Sequence, residues 1–277
     1  MNKRILKVLT KREILSGIYG INVYFLIFLS CIMASIFFYT FLDTMKNGII
    51  TGTPMLTTFI FSVIPLSGLY FGVSAVTSIA KERSEKTIEV LFYGPVSEEN
   101  YILEKYINKM FLYCYFLSLV IIFFVLSDKF MNFGLGTNFL KVCFLSILIV
   151  SCAVSFGIFL STLAPSENMS IVILIGFYVC MGSLLILESM LGLPTHGNIN
   201  IIQNMFLKIV HISRMIDPIH YFSLGMSSIS DGGKELLDFK LFKTSVDKYI
   251  LSVLESTIYS VIMIVASIIS MKIKGVK

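Results

Sequence analysis

The sequence predicts an all-α membrane protein with six transmembrane helices, and it excludes a soluble globular domain. Two observations carry this. Hydrophobic residues make up 56% of the 277 residues and charged residues only 14%, against about 25% charged in an ordinary soluble domain. Mean hydropathy is +0.86. So few charges cannot cover a water-facing surface, so lipid must be the main solvent. The second observation is a set of charge-free runs: Ile14–Leu42, Asn47–Ala80, Met110–Ser127, Val142–Ser166, Asn168–Leu187 and Ser256–Met271. The first five reach the roughly 18 residues that a helix needs to cross a hydrocarbon core of about 30 Å. The last reaches back to Tyr249 once Glu255 is admitted into the helix. A closed barrel would need short strands of alternating polarity. These runs are continuously apolar.

The elements follow in order as one domain over residues 1–277. Residues 3–15 read as an interfacial amphipathic helix, because Lys3, Lys7 and Lys11 recur on one face beside Ile5, Leu6, Leu9 and Leu15. Such a helix lies in the headgroup layer with its lysines toward anionic lipid. The spans are 22–42, 56–79, 108–127, 142–163, 169–189 and 249–271. Gly48, Gly52 and Pro54 break the chain after the first. Pro65 permits a kink in the second, bringing Ser67 toward a cavity. Between the fourth and fifth, Pro165 stops one helix, and Ser166 with Glu167 starts the next. Residues 190–248 form an external connection, in which Ile201, Met205, Ile209, Ile212 and Ile216 recur near helical period. That pattern is an amphipathic, re-entrant segment before the last span, ended by Asp217-Pro218. Asp231-Gly232-Gly233 reads as a turn.

Orientation comes from Lys and Arg near the span ends. Lys3, Arg4, Lys7, Lys11 and Arg12 precede the first span. Lys81, Arg83, Lys86, Lys105 and Lys109 flank the second-to-third loop, and Lys272, Lys274 and Lys277 close the chain. The short opposite loops hold Lys46, Lys129 and Lys141. The positive-inside rule therefore puts both termini in the cytoplasm, in a multi-pass protein of the cytoplasmic membrane. The net charge of +5 reflects this topology and does not point to nucleic acid. The N-terminal charged region and its apolar run are too long for a cleaved signal peptide. Cys31, Cys114, Cys143, Cys152 and Cys180 all fall in spans without CxxC spacing and read as packing residues.

Little in the chain could catalyse a reaction. His196, His211 and His220 match no metal-ligand spacing, and no GxSxG occurs. Glu98-Glu99 resembles the paired glutamates of intramembrane CAAX-type proteases. The following Arg and the intramembrane histidines are missing, so that reading fails. There is no phosphate-binding GxxxxGK[ST] loop, so any ATP used must be hydrolysed by another subunit. Two acids touch the membrane: Glu188 near the outer end of the fifth span, and Glu255 inside the sixth, a candidate to line a pathway or to pair. Gly68 and Gly72, continued by Ser74 and Ser78, and Ala153, Gly157 and Ser161 place small residues at helical spacing. Close helix packing is the first reading of these, and a pathway face the second.

The sharpest signal is the loop after the second span. Ile88, Leu91 and Phe92 share one face of a short helix, Gly94-Pro95 ends it, and Ser97 caps the next helix with Glu98 and Glu99 at its start. A plain solvated loop needs neither the apolar stripe nor the two terminators. A docking element for a cytoplasmic partner needs both. Glu82, Arg83, Thr87, Ile88, Glu89, Leu91, Pro95, Val96 and Ser97 stand where ABC-2 type permeases carry E-R-x-x-G-T-L-E-L-L-L-x-x-P-V-S, and the segment closely resembles that hallmark. The departure is Lys86, where the family commonly has Gly, which puts the turn into the helix in question. Asp217-Pro218-Ile219-His220-Tyr221-Phe222 with Gly225 is similar to the family's external element.

The resemblance implies the permease subunit of an ATP-binding-cassette exporter. Such a subunit would pair with a second permease, identical or paralogous, and with two ATPase subunits, and would bind no cofactor itself. Residues 82–93 would be the coupling helix, with Glu82, Arg83, Thr87, Ile88, Glu89, Leu91, Phe92 and Pro95 at the ATPase. Ser67, Gly68, Gly72 and Glu255 would line the pathway or pack. The rival readings are a non-transporting membrane scaffold that docks a cytoplasmic partner, and a secondary carrier. The sequence lacks the midplane charges and inverted repeat usual in a secondary carrier.

Overall fold

The computed structural model describes residues 3–47, 54–92, 96–131, 135–191, 217–231, 234–239 and 242–274. Helix α1 (Lys3–Tyr19) runs further than the predicted 3–15, and Gly20 alone separates it from α2 (Ile21–Lys46). The second span is assembled from α3 (Pro54–Thr58), a π-helical turn (Phe59–Val63) and α4 (Ile64–Ser84). The π turn sits immediately before Pro65. Proline has no N–H and its ring collides with the carbonyl four residues back, and the wider turn bonds Ile64 N–H to the Phe59 carbonyl instead. The kink expected at Pro65 therefore takes the form of a π turn, and it leaves Ser67 buried, donating to the Ile64 carbonyl at 3.1 Å.

The chain continues through α5 (Thr87–Phe92), α6 (Glu98–Met131), α7 (Thr137–Leu163), α8 (Glu167–Leu191), α9 (Pro218–Asp231) and α10 (Lys248–Lys274). Among the described residues, five helices are long and apolar enough to cross a membrane: Ile21–Thr44, Met55–Ser84, Glu98–Met131, Thr137–Leu163 and Lys248–Ile273. The remaining predicted span, 169–189, lies on α8, a helix of 25 residues whose apolar stretch is described over Glu167–Ser183. The bundle is all helix, as expected. The connection before the last helix adds one feature to it: Lys234–Phe239 (β1) and Phe242–Asp247 (β2) pair antiparallel, with Lys234 opposite Asp247 and Phe239 opposite Phe242. A two-strand ladder satisfies its backbone across the pair rather than within one segment, so helical periodicity gives no sign of it. The predicted amphipathic segment around 201–216, with His196 and His211, lies outside the described residues, and His220 stands on α9.

Helix α7 is the centre of the bundle, packed against α4 on one side and α10 on the other. Its approach to α4 depends on Gly157. A Cβ there would lie 2.9 Å from both the Gly72 carbonyl oxygen and the Ala75 Cβ. The Ser161 hydroxyl, one turn on, accepts from the backbone N–H groups of Ile79 at 3.1 Å and Ala80 at 2.9 Å. Toward the other end, Phe59 meets Phe124 and Phe139 with ring centroids 5.5 and 5.3 Å apart. Large apolar side chains such as Phe25, Phe28 and Tyr39 on α2 and Ile258, Val261 and Ile262 on α10 are exposed, as lipid-facing positions require.

Candidate functional site at the joint between two spans

Helix α4 does not stop where its apolar run ends. Lys81, Glu82, Arg83 and Ser84 continue it, and it closes with Glu85 N–H donating to the Lys81 carbonyl at 3.0 Å and Lys86 N–H to the Arg83 carbonyl at 3.1 Å. Lys86 takes a φ of 57°, in the left-handed region that costs a non-glycine residue about 1 kcal/mol. The turn thus keeps a glycine-like conformation although a lysine occupies it. The Thr87 hydroxyl donates to the Glu82 carbonyl at 3.0 Å across this turn. The predicted helix 82–93 is therefore divided. Glu82 and Arg83 belong to the end of α4, and only Thr87–Phe92 forms the short helix α5.

The apolar face of α5 is turned inward. Ile88 is buried, Leu91 and Phe92 are half-buried against the core, and Phe92 meets the Tyr101 ring edge-on at 5.7 Å between centroids. Its stripe seats α5 on the chain's own bundle. Ser84, Glu85, Lys86 and Thr87 are exposed. Glu89 lies within α5, and Pro95 falls outside the described residues. Past the joint, α6 starts where Ser97 predicts, with Tyr101 N–H donating to the Ser97 carbonyl at 3.1 Å.

Beneath α5 lies a cluster of charges that the sequence does not display. Lys105 of α6 is buried, and its ammonium donates to Glu82 of α4 and to Glu13 of α1, each at 2.5 Å. It also stands 5.3 Å from the centre of the Tyr101 ring. The Tyr101 hydroxyl donates to the second Glu82 oxygen at 2.6 Å, and the Asn108 amide to the second Glu13 oxygen at 3.0 Å. Lys109 reaches the Ser74 hydroxyl at 2.7 Å. Gly17 lets α1 approach closely enough for this, since a Cβ there would meet Leu112 at 2.6 Å. Burial pushes the Glu13 carboxyl up. The Lys105 charge, with hydrogen bonds from Glu104 and Lys105 and the charge of Lys109, more than offsets that and holds it below its ordinary value.

Arg83 points elsewhere. Its Nη1 donates to the Thr162 carbonyl at 3.1 Å and the Ala164 carbonyl at 3.0 Å, satisfying orphan acceptors at the C-terminus of α7, where a cation is also favoured by the helix dipole. The end of α4 is thereby tied to α1, α6 and α7 at once. Ser67, Gly68 and Gly72 lie higher on α4. Gly72 faces Tyr178, and nothing lies within 4 Å of a Cβ built on Gly68. Glu255 is half-buried on α10 between the buried Ser252 and Ser256. Helix α7 packs against both α4 and α10, so these candidates do not form one site.

The sequence reading counts Lys105 only as a topology charge and passes over Glu13, Tyr101 and Asn108. A usable signal exists: Asn100, Glu104 and Asn108 put polar side chains at every fourth position on α6, and all are buried. Among the described residues no group of three or more His, Cys, Asp or Glu is placed to hold a metal ion. Residues 11–272 match the family model described as ABC-2 family transporter protein, and the chain belongs to that family. No curated protein matches it.

Proposed function

We propose that this ABC-2 family member is the permease subunit of an ATP-binding-cassette exporter, driven by ATP that separate subunits hydrolyse. It would act beside a second permease, identical or paralogous, with six spans in the cytoplasmic membrane and both termini in the cytoplasm. The observation that carries this reading is the joint between α4 and α6. A six-residue helix is set between two spans, seated by its own apolar face and tied through Glu82 and Arg83 to two further helices, α1 and α7. A push delivered to such a joint moves α4 and α6 together, where a slack loop would absorb it. The exposed turn Ser84–Thr87, with α5, is the surface offered to the ATPase. Leu91 and Phe92 would act by keeping α5 seated, so their truncation to Ala should loosen the coupling.

Purification from the native membrane followed by reconstitution tests the proposal. An ATP-binding-cassette subunit should accompany the chain, and export from proteoliposomes should stop when ATP is removed. Transport that persists without ATP would identify a secondary carrier instead. A stable complex with no transport at all would identify a scaffold.

A further inference from the structure

Lys105 is placed unlike any other described cation in the protein. Its ammonium has three protons, and carboxylates from two different helices take two of them. The remaining contacts close a ring: Tyr101, whose face lies beside the ammonium, donates its hydroxyl to the same Glu82 that Lys105 holds. Lys105 is only 5% exposed as a side chain, against 24% for Glu13 and 29% for Glu82. The exposed pair Lys272–Glu99 offers a comparison at the same end of the bundle. It is 2.7 Å long and joins α10 to the start of α6, yet both partners are about half exposed, where ion pairs contribute little.

We infer that Lys105 is a positioning residue that makes the amphipathic helix α1 move with the α4–α6 joint. The inference rests on the permease reading for its functional half and on geometry alone for its structural half. Gly20 joins α1 to α2, Gly17 lets α1 lie on Leu112, and Lys11 and Arg12 are exposed. The polar grip at its middle is Glu13, shared between Lys105 and Asn108. Through Lys105 that grip extends to Glu82, in the last turn of α4, whose carbonyl also holds the turn that leads into α5. A displacement of the joint is then passed to a helix whose outward cations meet the headgroup layer, and α1 becomes a working part of the permease.

Hydrogen exchange of the α1 amides, measured on the full chain in nanodiscs, reads the tie directly. Lys105→Met should speed exchange over residues 10–19 by about tenfold, Lys105→Arg should stay near the unmodified protein, and Lys272→Met should change nothing. In proteoliposomes with the ATPase subunits, Lys105→Met should lower transport per ATP hydrolysed by about tenfold. The affinity of the ATPase should hold, because the exposed turn Ser84–Thr87 is untouched. Should Lys105→Met fail to fold, Glu13→Gln carries the same expectations while keeping the Lys105–Glu82 bond. Unchanged α1 exchange overturns the inference. Faster exchange with an unchanged transport ratio overturns its functional half and leaves Lys105 a structural anchor. Absence of ATP-driven transport in the unmodified protein overturns the permease reading, and the exchange result still decides the tie.

Discussion

At the joint, α1, α4 and α6 are held together by formal charges; in the middle of the bundle, α6, α7 and α10 are held by hydroxyls and a thiol. In that middle seam the Tyr106 and Ser151 hydroxyls lie 2.7 Å apart, Ser151 donates to Ser260 at 2.9 Å, and Ser260 donates to the Ser256 carbonyl at 3.0 Å. The Cys152 thiol reaches the same carbonyl at 3.3 Å. The difference follows from solvation. A buried ion loses several kcal/mol even after relaxation, and Glu13 and Glu82 escape part of that by staying about a quarter exposed. A hydroxyl at depth loses far less. Bonds between spans of this kind contribute about 0.6 kcal/mol each. The joint therefore has few but strong ties with a defined geometry, and the seam has many weak ones that let helices sit close.

This contrast can be broken at either end. The largest effect should come from Lys105→Met, which strands two carboxylates. Unfolding in mixed micelles should show a loss of about 3 kcal/mol, the low end for breaking a buried pair, because both acids keep some water. A loss no larger than that of a surface pair would put the two regions on the same footing. Next is Gly157→Leu, whose side chain must displace the Gly72 backbone. The same assay should show about 2 kcal/mol from overpacking, with the charged joint intact by hydrogen exchange.

Acid sharpens the comparison without mutation. Glu13 is held below its ordinary value of 4.5, so its contribution is complete above that pH and is lost as pH falls through the depressed value. Exchange of α1, corrected for the intrinsic pH dependence of amide exchange, should accelerate as pH falls through the depressed Glu13 value. The seam, built from hydroxyls, should be silent over the same range. The smallest change belongs to Ser151→Ala, at about 1.2 kcal/mol for its two bonds to neighbouring spans, read as a shift in the unfolding midpoint.

The apolar spans, a short helix ending near Phe92, the start of α6 after Ser97 and the suitability of Gly157 for close packing are legible in the order of residues; that Gly157 meets α4 is not. Partition into lipid and helix punctuation are local properties: a run of apolar residues has one good solution in a bilayer, and Ser97 caps whatever follows it. Which side of α5 faces inward, what Arg83 caps, the pairing of β1 with β2 and the partners of Lys105 are decided only when distant segments meet. Glu13 and Lys105 are 92 residues apart, and each alone reads as an ordinary flanking charge. A charge declares its role through its neighbours, and those neighbours exist only in the folded bundle.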